Sequence, residues 1–156
     1  MPLTLTSPAF GEGQTIPDEF ARETGNVSPP LEWSGAPEET KSFALVVEDP
    51  DAPGGVFRHW AIHDLPPNHG GLAKGVAERT SAPQAVNDFG EAGYGGPMPP
   101  AGHGAHRYRF RLMALNAPAL ETTAGADAKS VATSAARHAL EESVLTGLYE
   151  RASKQA

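Results

Sequence analysis

The chain has 156 residues, 39% of them hydrophobic, the length of one domain; a globule of this size withdraws roughly 70% of its unfolded surface from water. It contains no cysteine, which excludes disulfides, thiolate metal sites and cysteine nucleophiles. The formal net charge is -7, with 19 acidic against 12 basic residues, so the overall field repels nucleic acid and anionic membranes.

Seventeen residues are Gly and 15 are Pro, about a fifth of the chain where average usage gives roughly an eighth. Such punctuation predicts many turns and short strands, and argues against a helical bundle. Met1 to Ser7 has neither a basic start nor an apolar run, and nothing later approaches a membrane-spanning segment. The expectation is a soluble, cytoplasmic protein forming a single domain over residues 1–156, with no stable membrane insertion.

Residues 1–41 are broken by Ser7-Pro8, Ile16-Pro17 and Ser28-Pro29-Pro30, leaving short extended pieces at Leu3 to Thr6 and Leu31 to Trp33. Asn26-Val27-Ser28 matches a glycosylation sequon but reads as a turn. From Ser42, the run Phe43 to Val47 is apolar on both parities and ends at Asp49-Pro50, the pattern of a strand buried on both faces. Val56 to Leu65 is strand-like, but its faces are mixed: Phe57, His59, Ala61, His63 and Leu65 alternate with Val56, Arg58, Trp60, Ile62 and Asp64.

Residues 66–104 show little periodicity, and nine of the fifteen residues from Gly90 to Gly104 are Gly or Pro. Loops this long inside a small domain are more often functional than linkers, and Asn87, Asp88, Tyr94, His103 and His106 bring chemistry to this one. The clearest strand is His106 to Leu115, with His106, Tyr108, Phe110, Leu112 and Ala114 on one face and Arg107, Arg109 and Arg111 leading the other. His106 and Tyr108 therefore share the core-side parity. The arginine row, without interleaved aromatics, reads as a solvated face paired with carboxylates. Ala128 to Glu142 has helix composition with Asp127 as N-cap, and Val144 to Arg151 reads as a last short strand.

The sequence holds no nucleophile elbow, P-loop, zinc-protease helix or dinucleotide fingerprint. Tyr94-Gly95-Gly96-Pro97-Met98-Pro99-Pro100 instead describes a stiff, shaped loop whose free N–H groups can face a ligand. His103 and His106 are a two-residue metal pair with little beside them to complete a site, so no metal or cofactor is expected. His63, His69 and His138 are assigned to structure or solvent.

Taken together, Asp49-Pro50-Asp51-Ala52-Pro53, His59-Trp60, Asn87-Asp88-Phe89-Gly90, Tyr94-Gly95-Gly96-Pro97 and His106-Arg107-Tyr108 resemble the signature segments of the phosphatidylethanolamine-binding proteins, in particular their bacterial, Raf-kinase-inhibitor-like branch. The resemblance extends over nearly the whole chain. It implies a mainly β, Greek-key sandwich with one or two peripheral helices and a small pocket for phosphate-like or carboxylate-like groups. Carried over position by position, it implies that Asp49, Asp51, His59, His106 and Tyr108 bind ligand, with Gly95 and Pro97 forming a wall. Met98 stands where bacterial relatives often have Cys.

Two carboxylates beside an anion pose a problem: unit charges about 4 Å apart repel by roughly 4 kcal/mol at an effective dielectric of about 20. Either Asp49 holds a histidine protonated or in the right tautomer while the other imidazole, Tyr108 and loop N–H groups donate to the anion, or an aspartate meets the ammonium of a zwitterion such as phosphoethanolamine. The expected function is non-enzymatic binding of small anionic or phosphorylated groups. A modulator of a protein kinase or protease is the second reading, a hydrolase using an Asp–His pair the third, and a homodimer is compatible with the resemblance.

Overall fold

A computed structural model describes residues 2–122 and 125–151. Its strands are β1 (Thr4–Thr6), β2 (Leu31–Ser34), β3 (Ser42–Asp49), β4 (Phe57–Leu65), β5 (Gly71–Leu72), β6 (His106–Leu115) and β7 (Ala139–Tyr149), with one α-helix, α1 (Ala128–His138). They form two antiparallel sheets, one in the order β1-β2-β5 and the other β4-β3-β6-β7.

The alternation read in β6 decides the layering. Tyr108, Phe110, Leu112 and Ala114 face a core shared with Leu5, Leu31, Trp33 and Leu72 of the smaller sheet, and Trp33 meets Phe43 with ring centroids 5.3 Å apart. On the other face of the large sheet, Ala44, Val46, Ala61, Met113 and Leu115 pack against Ala128, Val131, Ala132 and Ala135 of α1. β3 is thus buried on both sides, as its unbroken apolar run requires, and the alanines on both partners let the helix approach closely. The arginine end of this outer face is solvated and paired: Arg111 reaches Glu48 at 3.1 Å and Glu142 at 2.9 Å.

α1 starts where expected, the Asp127 carboxylate accepting from the Ser130 N–H at 2.8 Å. It ends at His138, short of the predicted Glu142, because Ala139 to Glu142 pair with β6. Cross-strand pairing with a buried neighbour outweighs helix propensity there.

The mixed faces of β4 have a simple cause. Val47 pairs with Trp60 and Glu48 with Arg58, so the register skips His59. This β-bulge keeps Trp60 and Ile62 in the inter-sheet core while also turning His59 inward. A second shift falls between the Phe43–Leu65 and Leu45–Ile62 pairs, where Asp64 takes a φ of 58°.

Candidate functional site

Asp49 closes β3, and the proline after it stops the strand. Its Oδ1 accepts the Asp51 N–H at 2.8 Å, locking the turn. Its Oδ2 lies 2.6 Å from Nδ1 of His106, the first residue of the neighbouring β6. Both side chains are almost fully buried, 4% and 2% exposed. Because a carboxylate only accepts, Nδ1 of His106 carries the proton. The other ring nitrogen, Nε2, is 2.6 Å from Nδ1 of His103.

His59, delivered by its bulge, is held by the Gly/Pro-rich loop: Nδ1 donates to the carbonyls of Gly95 at 2.8 Å and Gly96 at 3.1 Å. This fixes the tautomer, so a neutral ring offers Nε2 as an acceptor. Burial is the largest influence on its pKa and lowers it, against the two carbonyls and the Asp49 charge, which favour the cation. The loop itself is tied to the N-terminal segment. Gly96 donates to Asn26 Oδ1 at 2.7 Å and its Cα lies so close to the Phe20–Arg22 backbone that any β-carbon would collide with it. Asn87 braces the preceding turn, accepting from Phe89 N–H at 2.9 Å and donating to the Gly93 carbonyl at 3.0 Å.

Asp49, His59 and His106 converge on a cavity of about 180 Å³ walled by Phe57, Phe89, Met98, Pro99 and Pro100. Tyr108 packs behind the histidines, its ring 5.2 Å from His59 and stacked 6.5 Å from His106. Its hydroxyl is buried without a hydrogen-bond partner of good geometry among the described residues. Burial above all, then the Asp49 charge, raises its pKa and keeps it protonated. A wider open cleft of about 590 Å³ runs along α1 past Lys129, Thr133 and Arg137, and none of its described lining residues is buried.

Of the seven residues anticipated, Asp49, His59 and His106 line the cavity and Tyr108 backs it. Asp51 does not face it. Its carboxylate takes a bidentate pair from Arg107, at 2.9 and 3.1 Å, and the Arg107 N–H at 2.9 Å, which draws its pKa down to about 2. The wall is likewise built one step further along than expected: Gly95 contributes a carbonyl to His59, Pro97 a carbonyl to the Arg22 N–H, and Met98 to Pro100 meet the cavity. Phe57 and Phe89, edge to face at 4.7 Å, were not anticipated as lining. Only their nearness in sequence to His59 and Asn87 hints at them.

A family model described as phosphatidylethanolamine-binding protein matches residues 6–150. The chain belongs to this family. Among its relatives are UPF0098 proteins of Aquifex aeolicus, 40% identical and covering 96% of this chain and 89% of the relative, and of Methanothermobacter thermautotrophicus, 42% identical over 96% and 99%. Solved structures with the same fold include YbcL of E. coli, described as a new member of the mammalian PEBP family, at 33% identity, 97% and 99% coverage and a TM-score of 0.92. The PEBP homologue CT736 of Chlamydia trachomatis aligns at 35% identity, 96% and 98% coverage and a TM-score of 0.86. In this member of the phosphatidylethanolamine-binding family, the Asp49–His106 pair and His59 meet at one cavity.

Proposed function

We propose that this cavity binds a small phosphorylated or otherwise anionic group, phosphoethanolamine-like head groups included, and that the chain is a non-enzymatic binding protein. One observation carries the reading: Asp49, His59 and His106, from three neighbouring strands, meet at a single small cavity, while the Tyr108 hydroxyl behind it has no hydrogen bond of good geometry among the described residues.

The charge problem is smaller than the sequence implies. Arg107 neutralises Asp51 away from the cavity, leaving Asp49 as the one carboxylate among the described lining residues, already engaged with His106. Neutral His59 accepts rather than donates, which favours an anion that still carries a proton. A phosphate monoester, with a second pKa of about 6, can supply one. Its P–OH then faces His59 Nε2, and its other oxygens reach the Tyr108 hydroxyl once that buried group turns toward the cavity. For phosphoethanolamine, the ammonium has Asp49 and the Phe57 and Phe89 rings to meet. No described Ser, Thr or Lys lines the cavity, and Asp49 and His106 are engaged with each other, so the binding reading is preferred to covalent catalysis. Membership of a family known by what it binds, shared with CT736, supports a binding role.

No described helix is long and apolar enough to cross a membrane. A Mycobacterium tuberculosis relative, 41% identical, carries a lipoprotein name, LppC.

The test is calorimetric titration of phosphate and phosphoethanolamine into the wild type, Asp49→Ala and His106→Ala, each checked for folding by circular dichroism. Saturable binding to the wild type that both substitutions abolish supports the proposal. Binding indifferent to both sinks it.

A further inference from the structure

His103 has no role in the ligand reading above, yet it holds the one His106 nitrogen that Asp49 leaves free. Nδ1 of His103 is 2.6 Å from Nε2 of His106, and a contact that short between ring nitrogens contains one proton. Either His103 donates it to a neutral His106, or His106 donates it to His103. In both cases the Nε2 direction is occupied, and the buried ring presents no free hydrogen-bonding atom to the cavity it lines.

The position of His103 fits a removable cap. It is exposed, whereas His106 is 2% exposed. Gly102 and Gly104 flank it at φ 75° and 85°, both in the left-handed region that glycine tolerates best. Nothing lies within 4 Å of where a Gly104 β-carbon would be, so the loop has space to swing outward. Its tether near this point is the backbone hydrogen bond from His103 N–H to the Pro100 carbonyl at 3.1 Å.

We propose that His103 is an internal competitor for the ligand: it caps Nε2 of His106, and a phosphate oxygen, donating as P–OH to the neutral ring or accepting from the doubly protonated one, must displace it to use that nitrogen. The inference rests on the anion-binding reading for its ligand, but the cap itself is testable without one. Removing the competitor spares the ligand the loss of a hydrogen bond, so affinity for phosphate rises.

Two measurements on the full chain decide it. First, brief treatment with diethyl pyrocarbonate, followed by mass spectrometry, reads the accessibility of His106 Nε2. His106 is protected in the wild type and becomes reactive in His103→Ala, while His103→Asn, whose side-chain amide stands near the ring Nδ1, restores protection. Equal protection in His103→Ala overturns the cap whatever phosphate does. Second, calorimetry with inorganic phosphate gives His103→Ala an affinity about five- to tenfold higher than wild type, the factor that one net hydrogen bond represents, with His103→Asn near wild type. Unchanged or weaker binding to His103→Ala overturns the competition. A reactive His106 with no phosphate binding to either protein supports the cap and counts against the anion reading.

Discussion

Nδ1 of His106 and Oδ2 of Asp49 lie 2.6 Å apart between two adjacent strand ends, with both side chains out of water. The pair is structural as well as functional in consequence. Leaving His106 without its acceptor strands a buried donor, at a cost of about 1–3 kcal/mol. Asp49→Ala is therefore expected to lower stability by about that amount in chemical denaturation. Asp49→Asn, which keeps an acceptor oxygen, is expected to lose less.

Tyr108→Phe should separate binding from stability. The hydroxyl is buried beside the Asp49 carboxylate and the Met98 backbone but has no hydrogen bond of good geometry among the described residues, so removing it relieves a poorly satisfied group and leaves stability unchanged or higher by up to about 1 kcal/mol. Phosphate affinity is expected to fall about five- to tenfold, one hydrogen bond's worth. A stability loss with affinity intact would assign the hydroxyl to the fold.

Phosphate and sulfate should be told apart by a proton. Burial keeps His59 neutral by lowering its pKa, so one proton must come with the ligand or be forced onto the ring. Both routes make affinity fall as pH rises: through the second ionisation of a phosphate monoester, near 6, or through the depressed titration of His59. Sulfate brings no proton at neutral pH and depends on the second route alone. It is expected to bind more weakly than phosphate at pH 7 and to gain as pH falls below the ordinary imidazole range. Affinities for the two anions that match at pH 7 and do not vary with pH would contradict this.

The contribution of the Asp51–Arg107 pair should change with pH only in acid. The Asp51 pKa is lowered from 3.8 to about 2, chiefly by its hydrogen bond from Arg107, so its contribution is full above the ordinary value and is lost as pH falls to about 2. Both groups are well solvated, which keeps that contribution small. Arg107→Ala is expected to flatten the acid limb of stability in this window and to leave phosphate affinity at pH 7 within about twofold. A large loss of affinity would return Asp51 to the binding site.

The fold was legible where one physical signal dominated. β6 runs from His106 to Leu115 as its alternation predicts, and β3 stops at Asp49, before a proline. The end of α1 was not, because pairing with β6 takes over at Ala139 while the sequence still reads as helix. In the site, the inward parity of His106 and Tyr108 followed from the same alternation. Three features had no local signal: the bulge that turns His59 inward, the swing of Asp51 to Arg107, and the seating of His103 on His106. Each depends on segments that only folding brings together.

The most direct test of the account is a crystal structure of the protein grown without phosphate and soaked with phosphoethanolamine. The predicted result is the phosphate in the cavity between Asp49, His59 and His106, with an oxygen within hydrogen-bond distance of His59 Nε2 and His103 moved off His106. Phosphoethanolamine bound elsewhere, or a cavity still empty at saturating concentration, would contradict it.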